Sequence, residues 1–389
     1  MPPTPSPPPS RRPADDRSAQ RPPPLNAPVP TDEGSCVPRS APAIPRTRRP
    51  QLRGQAFWIG SYTSAMGGGE GIYRVRRRPD GSLEGPELAA EAVCPSYLAV
   101  GPGGNTLYAV REQQAGGVAA YKVRDGRLHE TGRRAAGELP CHVSVTADGG
   151  HLLIADYGSG TVRATGLDSH GLFTGEPDVA EGHGSGPDPV RQEGPHAHMA
   201  VQAPDGTVLT ADLGSDLIRA FRLQDGRLRL IGETACPSGS GPRHLALHPS
   251  GYVYVVTELA ATVLVLSPSG GYAGLEVTAE SPAMAAPSGD AAHCAAIKIS
   301  GEYVYTSTRG ADVVTTHRVR ADGAALEPVA DVPSGGAGPR DLHVDGAWMH
   351  ITNERSDTVT TFAIGPDGIP VPTGAPPLHV PSPVCVVPA

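Results

Sequence analysis

A phrase that returns about every 45 residues constrains this chain more than any other feature. Each copy has a Pro-x-(His/Arg/Tyr) step, a short apolar run, a Gly/Asp turn and a second apolar run that ends in a polar residue. The copies start at Pro95-Ser96-Tyr97, Pro140-Cys141-His142, Pro195-His196-Ala197-His198, Pro242-Arg243-His244, Ala291-Ala292-His293, Pro339-Arg340-Asp341 and Pro381-Ser382-Pro383. Successive spacings of 45, 55, 47, about 50, about 47 and 42 residues match a four-stranded unit and no helical or leucine-rich repeat. In the copy from Pro95, the runs SYLAV, TLYAV and GVAAYKV are separated by Gly101-Pro102-Gly103-Gly104 and, after the last of them, by Asp125-Gly126. These are short strands punctuated by turn residues. No helical apolar stripe is sustained within residues 54–389. The pattern predicts an all-β chain, a seven-bladed β-propeller.

The last copy contains one strand, Val384 to Val387, and the first three strands after residue 53 have no innermost strand of their own. The C-terminal strand is therefore expected to join the N-terminal blade. That closes the ring and leaves no free sheet edge.

Residues 1–53 are different in kind. They hold 16 of the 43 prolines, and nine arginines against four acids give them about +5, so the formal −8 of the chain leaves about −13 on residues 54–389. This segment is expected to be a disordered, dispensable tail. The absence of a signal-length apolar stretch and of any run of 18 apolar residues argues against secretion and membrane spanning. Six cysteines, at positions 36, 94, 141, 236, 294 and 385, show no C-x-x-C and no paired spacing. Neither a zinc site nor a disulfide framework is indicated, and free cysteines packed as small hydrophobes in a cytoplasmic protein are expected. Two lysines in all and an acidic ordered domain argue against nucleic acid as a partner.

Topology selects a face before any residue is chosen. Neighbouring antiparallel strands bring the entry of the first strand beside the exit of the second, so both ends meet on one rim around the channel. The entries carry Tyr97, His142, His196, His198, Arg243, His293 and Arg340, and the exits carry Tyr62, Glu112, Asp156, Asp212, Glu258, Arg309 and Asn353. A single polar residue at a strand end is commonly a staple to neighbouring backbone. Three arginines converging with histidines and carboxylates on one concavity point instead to a ligand site. On an acidic domain an anionic ligand needs local cations, and Arg243, Arg309 and Arg340 supply guanidinium forks suited to phosphate or carboxylate. His198 and Glu258 are the candidate general bases. An imidazole near 6.5 is better poised than a carboxylate near 4.3 with arginines beside it, which favours His198. His142, His196, Arg340, Tyr97 and Asn353 are the expected substrate-binding residues, and no metal or cofactor is needed.

One stretch is more specific than the repeat. GSGPDPVRQEGPHAHMA, from Gly184 to Ala200, contains PxRQExPHAH, and it is accompanied by WIGSYT (58–63), IADYGSGTV (154–162), GPRHLALHPSGYVYVVTEL (241–259), VYTSTRG (304–310) and GPRDLHV (338–344). In these phrases the chain resembles the lactonase-type seven-bladed propellers, which include bacterial 6-phosphogluconolactonases of the propeller class and fungal carboxymuconate cyclases, over residues 56–389. The resemblance implies a catalytic quartet of His198, Arg243, Glu258 and Arg309. Two departures stand out: Ala296 where the family usually has an acid, and Glu354 where an amide is expected. The implied reaction is hydrolysis of 6-phospho-D-glucono-1,5-lactone to 6-phosphogluconate in the pentose phosphate pathway, by a cytoplasmic monomer whose partner is a small anionic lactone. The alternatives are a carboxymuconate-type lactonising or delactonising enzyme and a non-catalytic propeller. An aromatic content of 4% argues against the last, since protein-binding surfaces favour aromatic anchors.

Overall fold

Strands of five to seven residues that are apolar on both sides must be covered on both faces, and a ring of radially packed sheets does this. The computed structural model describes residues 55–287 and 292–389, so the expected disordered tail lies outside the described residues. Among the described residues there are seven antiparallel sheets, six of four strands and one of five. The first blade takes its innermost strand, Pro383–Pro388, from the C-terminus and continues outward through Ala56–Ser61, Gly71–Arg77 and Leu83–Glu91. The innermost strands of blades two to seven are Leu98–Val100, Pro140–Val145, Ala197–Gln202, Pro242–Leu247, His293–Ser300 and Pro339–Val344, and each blade then runs outward in chain order. The closure expected from the sequence is present, with Phe57 opposite Pro388 and Ser61 opposite Pro383. No helix among the described residues is long and apolar enough to cross a membrane.

Alternation along a strand sends successive side chains to opposite neighbours. Phe57 and Ile59 pack with Val359, Val380 and Val386 between blades seven and one, whereas Trp58 packs with Leu98, Leu107 and Tyr121 between blades one and two. The five remaining junctions each have a cluster of the same kind. The core is thus a ring of inter-blade clusters, in which each fully buried large side chain contributes about 1.5–3 kcal/mol over exposure. Directional staples add to it. Tyr108, Tyr254 and Tyr305 lie on second strands and donate their hydroxyls to Gly171 O (2.8 Å), Gly323 O (2.9 Å) and Gly368 O (2.8 Å) of the next blade. Gly171 and Gly368 sit at φ 75° and 79°, and a Cβ there would meet Tyr108 and Tyr303 at 2.7 and 2.5 Å. Only glycine permits both the turn and the approach. Cys94, Cys141, Cys236, Cys294 and Cys385 are free and buried, as expected.

Several histidines belong to this packing. Burial pulls His142 and His350 down to about 3 and His317 to about 4. These rings stay neutral in the fold while the unfolded chain takes up protons below about 6.5, so the unfolded state binds more protons across that window and stability is lost as the pH is lowered. The slope is about 1.4 kcal/mol per pH unit for each such histidine. Thermal denaturation should therefore show a Tm that declines steadily from pH 7 to pH 5. A Tm unchanged over that interval would mean that these rings are protonated inside the fold.

Candidate active site

The rim is built by a register irregularity repeated around the ring. In six blades the innermost strand has one residue more than its partner near its start, and such bulges bend a strand and re-aim a side chain. The inserted positions are Val384, Cys141, His198, Arg243, the pair Ala295-Ala296, and Arg340. Facing them are the residues that follow the last paired position of each second strand. The pairs Ser61–Pro383, Pro140–Asp156, Ala197–Asp212, Pro242–Thr257 and Pro339–Asn353 define that register. The facing ring accordingly includes Tyr62, Tyr157, Glu258 and Glu354; Glu112, whose N–H donates to Cys94 O, holds the same place in blade two, and in blade six Arg309 stands at the end of the second strand, paired with His293.

Glu258 lies at the centre of the cationic half. Its Oε2 accepts from Arg243 Nε at 2.8 Å and lies 3.0 Å from Arg309 Nη2, while Oε1 accepts from Arg191 Nη2 at 2.8 Å. Arg243 also donates to Ala295 O, and Arg309 Nη2 donates to Cys294 O at 3.3 Å. With Ala296 where an acid is expected, the acceptor that Arg243 finds beside it is the backbone carbonyl of Ala295. Burial alone would push the Glu258 carboxyl up, but Arg309 and Arg243, with Arg191 behind them, hold it well below the usual carboxylate range. Burial and the Arg243 charge hold the His198 imidazole well below its ordinary value. His198 is thus neutral at neutral pH, and its buried Nδ1 has no protein partner among the described residues.

The opposite half is organised around Arg340. Its Nη2 donates to Tyr62 OH at 2.6 Å and its Nη1 to Glu354 Oε2 at 3.1 Å, with the guanidinium 4.9 Å from the Tyr62 ring centroid. Glu354, where an amide is expected, is here the carboxylate that neutralises Arg340. Tyr62 in turn donates to both carboxylate oxygens of Glu112 at 3.2 Å, and Ser96 donates to Glu112 Oε2. Burial raises Glu112, with Arg340 opposing. The thiol of Cys141 is pushed well up by burial, which leaves it protonated and inert as a nucleophile.

His198, Arg243, Arg340 and Tyr97 line one small cavity together with Ser96, Glu112 and Cys141, and Glu258 and Arg309 join this group through the shared carboxylate. His142 lies against Tyr97, ring centroids 4.3 Å apart. His196 has both ring nitrogens engaged: Nδ1 is 2.8 Å from Tyr157 O, Nε2 is 3.2 Å from Glu193 Oε1, and the ring stacks on Tyr157 at 4.4 Å. Asn353 stands one residue short of the facing ring and donates its Nδ2 to Thr360 at 3.1 Å, as Asp156 and Asp212 serve their own third strands through Arg163 and Arg219. Sequence reasoning passed over Arg191 as a site residue, and placed Glu112 on the rim without giving it a role. Arg191 belongs to the PxRQExPHAH phrase, which was the available signal, and Glu112 occupies the strand-exit position equivalent to Glu258.

The cavity itself has about 10 Å³ of room, on the order of one water. A sugar-sized molecule does not fit inside it, and the guanidinium groups of Arg243 and Arg340 line its wall. Removing the charge that holds Arg243 and Arg309 has a defined cost: Glu258→Ala leaves both buried without their carboxylate, a loss of about 3–5 kcal/mol for a broken buried pair. Thermal denaturation should show a Tm several degrees lower, and a Tm equal to that of the parent would show that the arginines do not depend on Glu258.

Comparison with known proteins identifies the family. The family described as "Lactonase, 7-bladed beta-propeller" matches residues 56–388. The 6-phosphogluconolactonase of Bacillus subtilis is 32% identical over 343 residues, covering 85% of this chain and 97% of that protein. Among solved structures, a periplasmic gluconolactonase of Pseudomonas aeruginosa superposes with a TM-score of 0.80 at 27% identity, over 86% of this chain and 99% of that one. A Lactobacillus plantarum protein gives a TM-score of 0.80 at 26% identity, over 87% and 100%. The chain belongs to the seven-bladed β-propeller lactonase family.

Proposed function

We propose that the chain hydrolyses 6-phospho-D-glucono-1,5-lactone to 6-phosphogluconate. The observation that carries this reading is the shared carboxylate of Glu258. Arg191, Arg243 and Arg309 bring three positive charges to one negative charge, an excess of cations on a domain that is otherwise acidic. Such an excess is suited to an anionic ligand and to the oxyanion that develops when an ester carbonyl is attacked. The names of the Bacillus subtilis and Pseudomonas aeruginosa relatives support the same reaction class.

In this reading the lactone lies over the mouth with its carbonyl toward Arg243. Water adds to the carbonyl carbon and gives a proton to His198 while a guanidinium stabilises the oxyanion; the oxyanion then collapses, the bond from the carbonyl carbon to the ring oxygen breaks, and protonated His198 returns the proton to that oxygen to give the open acid. His198 suits the role because burial and Arg243 keep it unprotonated, and the oxyanion forming beside it raises its proton affinity during the step. Glu258 is a poor base, since protonating it would release the arginines it holds. Its part is to fix their geometry, which is where effective positioning originates. Five buried free cysteines support a reducing compartment, hence a cytoplasmic enzyme of the pentose phosphate route.

Initial rates on freshly generated 6-phosphogluconolactone, corrected for spontaneous opening, test the assignment. Arg243→Ala should lower kcat roughly 10²- to 10³-fold with an unchanged circular dichroism spectrum, and undiminished turnover in that variant removes Arg243 from the chemistry. The pH profile gives a second check. Because the His198 pKa is depressed, its base form persists as pH falls through 6.5, and the acid limb of kcat/KM should lie below 6.5. A limb at or above 6.5 would be incompatible with His198 as the base.

A further inference from the structure

The connection that carries Arg191 is unlike the others among the described residues. Blades three and four are joined by residues 182–196, whereas residues 136–139, 236–241 and 334–338 suffice at other junctions. The longer connection is rigidly built. Asp188 Oδ1 accepts from the backbone N–H groups of Val190 and Arg191 at 2.9 and 3.0 Å. Gln192, fully buried, donates Nε2 to Leu213 O at 2.9 Å and to Asp216 Oδ1 at 2.8 Å. Asp216 is itself fixed by the Gly239 and Gly241 backbone N–H groups at 2.6 and 2.8 Å. None of these bonds is needed to pair a strand, and their combined effect is to hold one arginine over the mouth.

That arginine is the most open in the site. The Arg191 side chain is 33% exposed, against 3% for Arg243, 14% for Arg309 and 20% for Arg340. It reaches Glu258 Oε1 through Nη2 alone, on the oxygen that Arg243 and Arg309 leave free, while its Nε is 3.3 Å from Tyr157 OH. Its Nη1 has no partner among the described residues. A guanidinium anchored at one end, with donors left over and access to solvent, is preorganised for an anion arriving from outside.

We propose that Arg191 recognises the phosphate of the substrate and sets the preference of the enzyme for phosphorylated over unphosphorylated lactones. The buried Arg243 and Arg309 face the reacting carbonyl, and Arg191 takes the remote charged group. The inference rests on the phosphorylated-lactone reading above and deepens it.

The experiment compares the full-length protein with Arg191→Ala and Arg191→Lys on 6-phosphogluconolactone and on glucono-1,5-lactone. The ratio of kcat/KM for the two lactones should fall roughly 10- to 100-fold in Arg191→Ala, the scale of one charge-assisted contact, and recover in part in Arg191→Lys, which restores the charge without the fork. Equal losses on both lactones overturn the proposal, since they would mean that Arg191 serves only to position Glu258. Should the parent protein open neither lactone, the assigned reaction falls, and calorimetric binding of 6-phosphogluconate against gluconate decides the role of Arg191 separately. A phosphate preference that disappears in Arg191→Ala upholds it. A preference that persists in the variant, or is absent from the parent, overturns it.

Discussion

Burying a guanidinium is costly unless a carboxylate accompanies it, and this molecule draws two buried arginines and a third at the surface onto a single one. The carboxylate of Glu258 makes that arrangement possible. An idealised charge pair at 4 Å is worth about 4 kcal/mol at an effective dielectric constant of 20, while the desolvation of each ion takes back several kcal/mol. Three contacts of 2.8, 2.8 and 3.0 Å to its two oxygens satisfy the acid fully and the arginines only in part. The unmatched positive charge is thereby held in place before any ligand arrives. Preorganisation of this kind is the largest contribution a protein makes to stabilising an oxyanion.

The fold supplies the positions for this cluster through two features that act together. Ring closure by Pro383–Pro388 brings every innermost strand to one axis, and in six blades a bulge near the start of that strand re-aims the inserted position toward the mouth. The chemistry then depends on which residue occupies the inserted place. Val384 and Cys141 make an inert wall, whereas His198, Arg243 and Arg340 make a polar one. Because the inserted side chains of these six blades lie on separate strands, a substitution in one blade alters the rim without touching the inter-blade clusters that hold the ring. The cavity below the rim, about 10 Å³, is too small for more than about one water.

Much of this was legible in the sequence, and what escaped was a matter of register. The Pro-x-His/Arg step marks both the start of the innermost strand and its bulge, so Arg243 and Arg340 could be placed from the repeat alone, with His198 following Ala197 at the same step. The exits of the second strands were harder to read. Asp156, Asp212 and Asn353 are the most polar residues near those ends, yet each is the last paired residue and turns to its own third strand. The rim belongs to Tyr157, Leu213 and Glu354, one position later. A shift of one residue exchanges the two faces of a strand, and polarity alone does not reveal which face is which. His196 misleads for a related reason, because its ring is occupied by Tyr157 and Glu193.

Arg191 was hidden for a different reason. It lies on no strand, and a loop residue acquires a position only from contacts that periodicity does not encode: the Asp188 turn beneath it and the buried Gln192 beside it. The order of exposure along the cluster, from Arg243 at 3% through Arg309 at 14% to Arg191 at 33%, describes a gradient of hydration from the cavity to solvent. Charges in the drier part act more strongly on a nearby oxyanion, because the effective dielectric constant is lower there. The wetter guanidinium exchanges its water for a ligand at smaller cost, and it meets an incoming anion first. The repulsion that a domain of about −13 exerts on a phosphate is felt over a Debye length of about 8 Å at physiological ionic strength, so a cation at the outer edge of the cluster is the one placed to offset it.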